Sequence, residues 1–109
     1  MNKNTISIKV GRDLIFLDIN SIVFVKAENI YTSIYTTKSI SILASQTLSE
    51  MEEKLIASNF FKPHRSYLIN LNLIRKYLKS DGVLFLFDYE LPVPVSRNKK
   101  QDLQNLILK

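Results

Sequence analysis

The sequence predicts a mostly β, α+β fold of about nine short strands in small packed antiparallel sheets, with one internal helix and one C-terminal helix. Three observations predict it. β-Branched and aromatic residues alternate with polar ones in short runs through most of the chain. The two glycines, Gly11 and Gly82, fall between such runs, where hairpins turn. Only two segments replace the period of two with a helical one.

In chain order, Ile6-Ser7-Ile8-Lys9-Val10 and Leu14-Ile15-Phe16-Leu17 flank Gly11-Arg12-Asp13 as a hairpin. Residues 22–26, 31–36 and 39–43 read as strands, with turn residues Glu28-Asn29 and Thr37-Lys38 between them. Leu48, Met51, Leu55 and Ile56 share one helical face, and Thr47 followed by Glu50 makes a capping box, so residues 47–57 read as a helix. Residues 60–63 and 90–93 are short strands. Pro63, Pro92 and Pro94 belong at edges or strand ends, because proline cannot donate to a ladder. Residues 66–71 fit a helical turn or a strand equally. A second hairpin joins residues 74–78 and 83–87 across Ser80-Asp81-Gly82. Leu103, Leu106 and Ile107 form a stripe behind a Ser96 N-cap, which places a terminal helix from about Arg97.

At 109 residues and 46% hydrophobic, the chain suits a single globular domain, residues 1–109, with one core. The absence of cysteine excludes disulfides, thiolate metal sites and cysteine nucleophiles, and fits a reducing cytoplasm. No P-loop or zinc-ligand spacing occurs, and the single histidine, His64, has neither a Gly-x-Ser-x-Gly elbow nor a nearby carboxylate in sequence. No enzyme activity, cofactor or metal is therefore expected. No apolar run approaches the roughly 20 residues that span a bilayer, and the polar start is no signal peptide. A cytoplasmic location with no membrane span in this segment is the expectation.

The charge is unevenly placed. Residues 62–100 hold eight Lys or Arg against three acids, a surplus equal to the net charge of +5 on the whole chain. Such a stripe suits a polyanionic partner. It has two foci, Lys62-Pro63-His64-Arg65-Ser66 and Pro94-Val95-Ser96-Arg97-Asn98-Lys99-Lys100. Arg97 would lie in the first helical turn, where a cation opposes the helix dipole by a few tenths of a kcal/mol. A ligand would explain that placement. Lys99 and Lys100 beside it suit phosphate, and an arginine there can fork onto guanine O6 and N7. If His64 packs inward, the alternation of an extended segment turns Arg65 outward. Ser66 has the chemistry to cap the next turn or to donate to phosphate, and Asn70 to tie down backbone or touch a base. Asn29 suits adenine readout and, equally, an ordinary β-turn. Glu28 cannot serve phosphate, and is placed to pair with Lys26 or to reject misplaced backbone. Tyr31 and Tyr35 share a face, either as a stacking platform or as sheet packing.

The runs His64-Arg65-Ser66-Tyr67-Leu68-Ile69-Asn70-Leu71 and Pro94-Val95-Ser96-Arg97-Asn98-Lys99-Lys100 resemble the LytTR family of bacterial DNA-binding output domains. Ile22-Val23-Phe24-Val25-Lys26-Ala27-Glu28-Asn29-Ile30-Tyr31 and Thr47-Leu48-Ser49-Glu50-Met51-Glu52-Glu53-Lys54-Leu55 resemble the same family, and order and spacing agree across a core of about residues 6–107. Asp88-Tyr89 departs from it, standing where the family often has an Asn-Gly type turn, as does Ile30, where Gly, Asn or His is commoner. The resemblance implies sequence-specific duplex DNA binding by a transcription regulator of the response-regulator, two-component type. The implied contacts are Asn29 and Ile30; Lys62, Arg65, Ser66 and Asn70; and Arg97, Asn98, Lys99 and Lys100. It further implies loops in successive major grooves, bent DNA, repeated half-sites bound by two domains, and a receiver domain or other regulatory partner outside this chain. The competing expectations are an RNA or single-strand binder using Tyr31 and Tyr35, and a protein-interaction module using sheet edges and Leu106-Ile107-Leu108.

Overall fold

A computed structural model describes residues 4–108. Strands β1 (Thr5–Val10) and β2 (Asp13–Asp18) form a hairpin whose turn needs Gly11 at φ +60°. The Asp18 carboxylate then accepts from the Asn20 N–H at 2.9 Å and starts a 3-10 turn, Ile19–Ser21. Next come β3 (Ile22–Glu28), β4 (Tyr31–Thr36), β5 (Ser41–Ala44) and α1 (Leu48–Leu55), then β6 (Phe60–His64) and β7 (Tyr67–Asn70). The chain ends with β8 (Ile74–Leu78), β9 (Val83–Leu86), β10 (Val93–Pro94) and α2 (Lys100–Ile107). Strand order is β1-β2 in one sheet, β5-β4-β3-β7-β6 in the central sheet and β10-β9-β8 in the third, and all pairs are antiparallel.

The central sheet is covered on both faces, and this explains its sequence. In β3, Ile22, Val23, Phe24 and Val25 are all buried, a continuous apolar run in place of strict alternation. Val25, Ile34 and Leu68 face one layer, where Ile8 of the hairpin and Leu48, Met51 and Leu55 of α1 complete a cluster. Phe24 and Ile69 face the other, against Leu84, Leu86, Val93 and Leu103. Each large side chain so buried contributes roughly 1.5–3 kcal/mol. The expectation of one core gives way to two clusters, one on each side of the sheet.

The strands number ten among the described residues where about nine were expected, because the ambiguous segment 66–71 supplies β7, paired with β3 from Lys26↔Tyr67 to Phe24↔Ile69. Three element expectations need correction. The strand expected at residues 90–93 shrinks to Val93–Pro94, since Arg75 draws the preceding chain away by binding the Tyr89 carbonyl and the Glu90 carboxylate, each at 3.0 Å. The capping box of Thr47 and Glu50 is present, but α1 stops at Leu55 and leaves Ile56 exposed, the chain reversing through Asn59 at φ +66°. At the C-terminus, Arg97–Lys99 is a 3-10 turn, the Ser96 side chain makes no capping bond, and Leu106 is exposed while Leu103 and Ile107 pack inward.

Candidate nucleic-acid interface

Antiparallel pairing sets the positions of two connections. In β3 and β4, Glu28 opposes Tyr31, so Asn29 and Ile30 alone make the turn. Asn29 sits at φ +62°, a left-handed conformation that Asn tolerates better than most residues. Both turn residues are exposed, Ile30 to 68%. Glu28 does not pair with Lys26; its carboxylate accepts from the Ser33 hydroxyl at 3.1 Å. In β6 and β7, His64 opposes Tyr67, leaving Arg65 and Ser66 as the turn. Because β7 is antiparallel to β3, this turn lies at the same end of the sheet as Asn29, and the Ala27 N–H donates to the Ser66 carbonyl at 2.8 Å.

His64 is half-buried rather than buried, and its ring Nδ1 accepts the Ser66 N–H at 3.1 Å while its edge meets Tyr67. Arg65 is exposed, as the alternation requires. The third connection is assembled from afar. Ser96 N–H donates to the Pro63 carbonyl and Val95 N–H to the Gly82 carbonyl, both at 2.8 Å. These two bonds dock the start of the terminal helix against β6 and the β8–β9 turn. The result is a depression of about 260 Å³ lined by Lys62, His64, Arg65, Ser96, Asn98 and Lys99. Two basic runs, residues 62–66 and 94–100, thus become one surface. A larger depression, about 440 Å³, is lined by Asn59, Leu71, Asn72, Ile74, Leu106 and Ile107, without an ionisable group, and offers a polyanion nothing.

The predicted residues divide accordingly. Asn29 and Ile30 project from one turn; Lys62, Arg65, Asn98 and Lys99 line the groove, while Ser66, in the turn beside Arg65, and the exposed Arg97, between Ser96 and Asn98 in the chain, are not among its lining residues. Lys62 is partly compensated, its Nζ lying 3.6 Å from a Glu52 carboxylate oxygen of α1. Lys100 is drawn aside, its stem lying over Gly82 of the β8–β9 turn. Asn70 leaves the set. It is 2% exposed, donates from Nδ2 to the Ile22 carbonyl and accepts the Asn72 N–H, each at 3.0 Å, so its amide is spent on backbone. The tyrosine platform fails too, since Tyr35 stacks on Phe24 with ring centroids 4.3 Å apart and meets Tyr89 edge-on. Sequence reasoning gives Pro63 as a strand end and Gly82 as a turn but not their docking role, which is carried by backbone carbonyls that no side-chain chemistry advertises.

The pattern of the family described as the LytTr DNA-binding domain matches residues 12–108. This chain belongs to that family. The family is one of DNA-binding domains, not of enzymes, and the chain's relatives include proteins named as transcriptional regulatory and sensory transduction proteins. The chain is 33% identical over 107 residues to the transcriptional regulatory protein YpdB of Escherichia coli K12, covering 95% of this chain and 43% of that protein. It is 27% identical over 108 residues to the sensory transduction protein LytT of Bacillus subtilis, covering 96% and 44%. It therefore spans less than half the length of these relatives. A solved LytTr DNA-binding domain from Bacillus cereus superposes with a TM-score of 0.75 at 22% identity, covering 99% of this chain and all of that one, and shares the fold.

Proposed function

We propose that this LytTr domain reads duplex DNA in a sequence-specific manner, with the Asn29–Ile30 turn, the Arg65–Ser66 turn and the Arg97 junction entering successive major grooves of a bent duplex. The observation that carries the reading is the joining of both basic runs into one groove by the Ser96-to-Pro63 bond, at the same end of the sheet as the Asn29 turn. Strand-borne loops occupy grooves as readily as a recognition helix when a rigid sheet fixes their separation. Arg97 forks onto a guanine; Lys62, Arg65 and Lys99 neutralise phosphates, with Ser66 and Asn98 donating to them. Bending the duplex between contacts adds indirect readout. In the whole protein, the domain acts as the output of a cytoplasmic bacterial response regulator, driven by a receiver or other input, with two domains on repeated half-sites.

Comparing Arg97→Ala with Lys99→Ala on a site selected from random duplexes and on scrambled DNA tests this. Loss of Arg97 is expected to cost about 1–3 kcal/mol on the selected site and much less on scrambled DNA. Lys99→Ala should weaken both equally and lower the log–log salt slope, about −4 to −7 for five to eight phosphate contacts, by about one. Equal losses for both variants on both duplexes would reduce Arg97 to a phosphate anchor. A slope near zero would end the polyanion reading altogether.

A further inference from the structure

Sheet edges that would otherwise recruit another strand are guarded in most of this molecule. Edge strand β6 carries Pro63 and is bonded by Ser96; β10 ends on Pro94 with Pro92 close before it; β8 bears Arg75 and Lys76. In the β1–β2 hairpin, β1 is covered. Its Lys9 carbonyl accepts from Ser45 N–H at 2.8 Å, Lys9 N–H donates to the Gln46 side chain at 3.1 Å, and the Ser7 carbonyl accepts from Lys54 Nζ at 2.6 Å.

Strand β2 carries charges only at its ends, Asp13 and Asp18, and between them it has no such guard. The two-residue turn makes Val10↔Asp13 a hydrogen-bonded pair, so Lys9↔Leu14 and Ser7↔Phe16 are the non-bonded pairs whose backbone groups point away from the partner strand. The outward bonds of Lys9 agree with this assignment. Leu14 and Phe16 therefore aim their N–H and C=O groups out of the free edge. Among the described residues, none outside the hairpin bonds to them. Their side chains are 57% and 51% exposed. Beside Phe16 and Asp18 lies an open depression of about 310 Å³ that exposed Ile40 also lines.

We propose that two copies of this chain pair edge to edge through β2, antiparallel about a two-fold axis at Ile15, to make a four-stranded β1-β2-β2-β1 sheet. Charge and shape select the register. With Ile15 opposite Ile15 of the second copy, Leu14 faces Phe16 twice on the outward-bonding positions, and Arg12 of the turn comes level with Asp18 at the strand end twice. The neighbouring two-fold registers are worse: centring on Phe16 sets Leu14 against Asp18, and centring on Leu14 sets Arg12 against Phe16. A two-fold pairing also gives the closed, isologous symmetry typical of small homo-oligomers. The contact uses none of the residues assigned to DNA, so it stands or falls independently of the DNA reading.

Sedimentation of the 109-residue chain from about 10 μM to about 1 mM, the range of weak interfaces, should show its mass rising from monomer toward dimer. Phe16→Lys should weaken this by on the order of tenfold or more, with its circular dichroism melt unchanged because Phe16 is half-exposed. Leu43→Lys, equally exposed on β5, should leave it intact. The register has its own test, since the chain contains no cysteine. Mixing Leu14→Cys with Phe16→Cys should give a mixed disulfide faster than either variant crosslinks to itself. Opposed Cα atoms lie about 5.5 Å apart, within disulfide range, whereas residues displaced by two exceed the roughly 7 Å limit. A monomeric mass at all concentrations, a Leu43→Lys effect as large as that of Phe16→Lys, or self-crosslinking as fast as mixed crosslinking would overturn the proposal. So would a mass that stays monomeric while another protein occupies this edge.

Discussion

The Asn29 turn and the Arg65–Lys99 groove lie at the same end of one sheet yet are built in opposite ways. The turn is local: two residues between paired strands, with Asn29 supplying the left-handed backbone and Glu28↔Tyr31 closing the hairpin. The groove is assembled. Its walls come from β6, the β6–β7 turn and the entry to α2, and two backbone bonds, Ser96 to Pro63 and Val95 to Gly82, hold them together. A local turn survives damage to distant packing, whereas an assembled groove depends on whatever keeps the terminal helix docked.

Leu103→Ala should separate the two most sharply. Leu103 is fully buried and anchors α2, so its truncation is expected to cost about 2–5 kcal/mol, read from urea or thermal melts. Amide exchange under conditions that keep the variant folded should show Ser96 losing protection while Ala27, bonded to the Ser66 carbonyl, retains it. Equal loss at both amides would mean that the groove is no more dependent on α2 than the turn is.

Next in size is Asn70→Ala. Removing this buried amide leaves the Ile22 carbonyl and the Asn72 N–H without their partner, at about 1–3 kcal/mol. Affinity for DNA per folded molecule should not change. A loss of affinity with unchanged stability would return Asn70 to the interface. Smaller still is Asn29→Gly, which keeps the φ +62° turn while deleting the amide. If Asn29 reads a base, affinity for the selected site should fall by about 1 kcal/mol with stability held. No change in affinity would leave the turn residue a purely conformational choice.

The contrast also explains what was legible in the sequence. Signals carried by a few adjacent residues were readable: the Gly11 and Gly82 turns, the capping box of Thr47 and Glu50, and the outward Arg65. Contacts across the fold were not. Segment 66–71 was ambiguous because β7 is buried on both faces, so Tyr67, Leu68, Ile69 and Asn70 show no alternation to mark a strand. Tyr35 and Tyr31 share a face by spacing, but only the fold brings Phe24 and Tyr89 against Tyr35. Lys100 reads as part of a basic run, and only the arrival of the β8–β9 turn draws it over Gly82. The family motifs supplied what local chemistry lacked, by tying two distant basic runs to one surface.

The smallest expected effect concerns α1, whose Glu52 sets Lys62 at the groove wall. Its first turn is fixed by Glu50, whose carboxylate accepts the Thr47 N–H and hydroxyl, each at 3.2 Å. The Thr47 backbone bond, then the hydroxyl bond, hold the Glu50 carboxyl below its ordinary value of 4.5 against an opposing desolvation, with smaller lowering by Lys9 and Lys54. A carboxyl whose folded value is depressed stabilises the fold above its unfolded value and loses that contribution as pH falls through the folded one. Glu50→Gln keeps an acceptor without the charge, so its deficit against the unsubstituted chain should be constant from pH 7 to about pH 5 and vanish on acidification below 4.5. Because Glu50 is exposed, this should be the smallest Tm difference of the set, and stronger at low salt. The assembled groove should register it faintly, through Glu52 and Lys62, and the Asn29 turn not at all. A deficit that persists unchanged at pH 3 would show that the charge contributes nothing and that the geometry of the acceptor alone caps the helix.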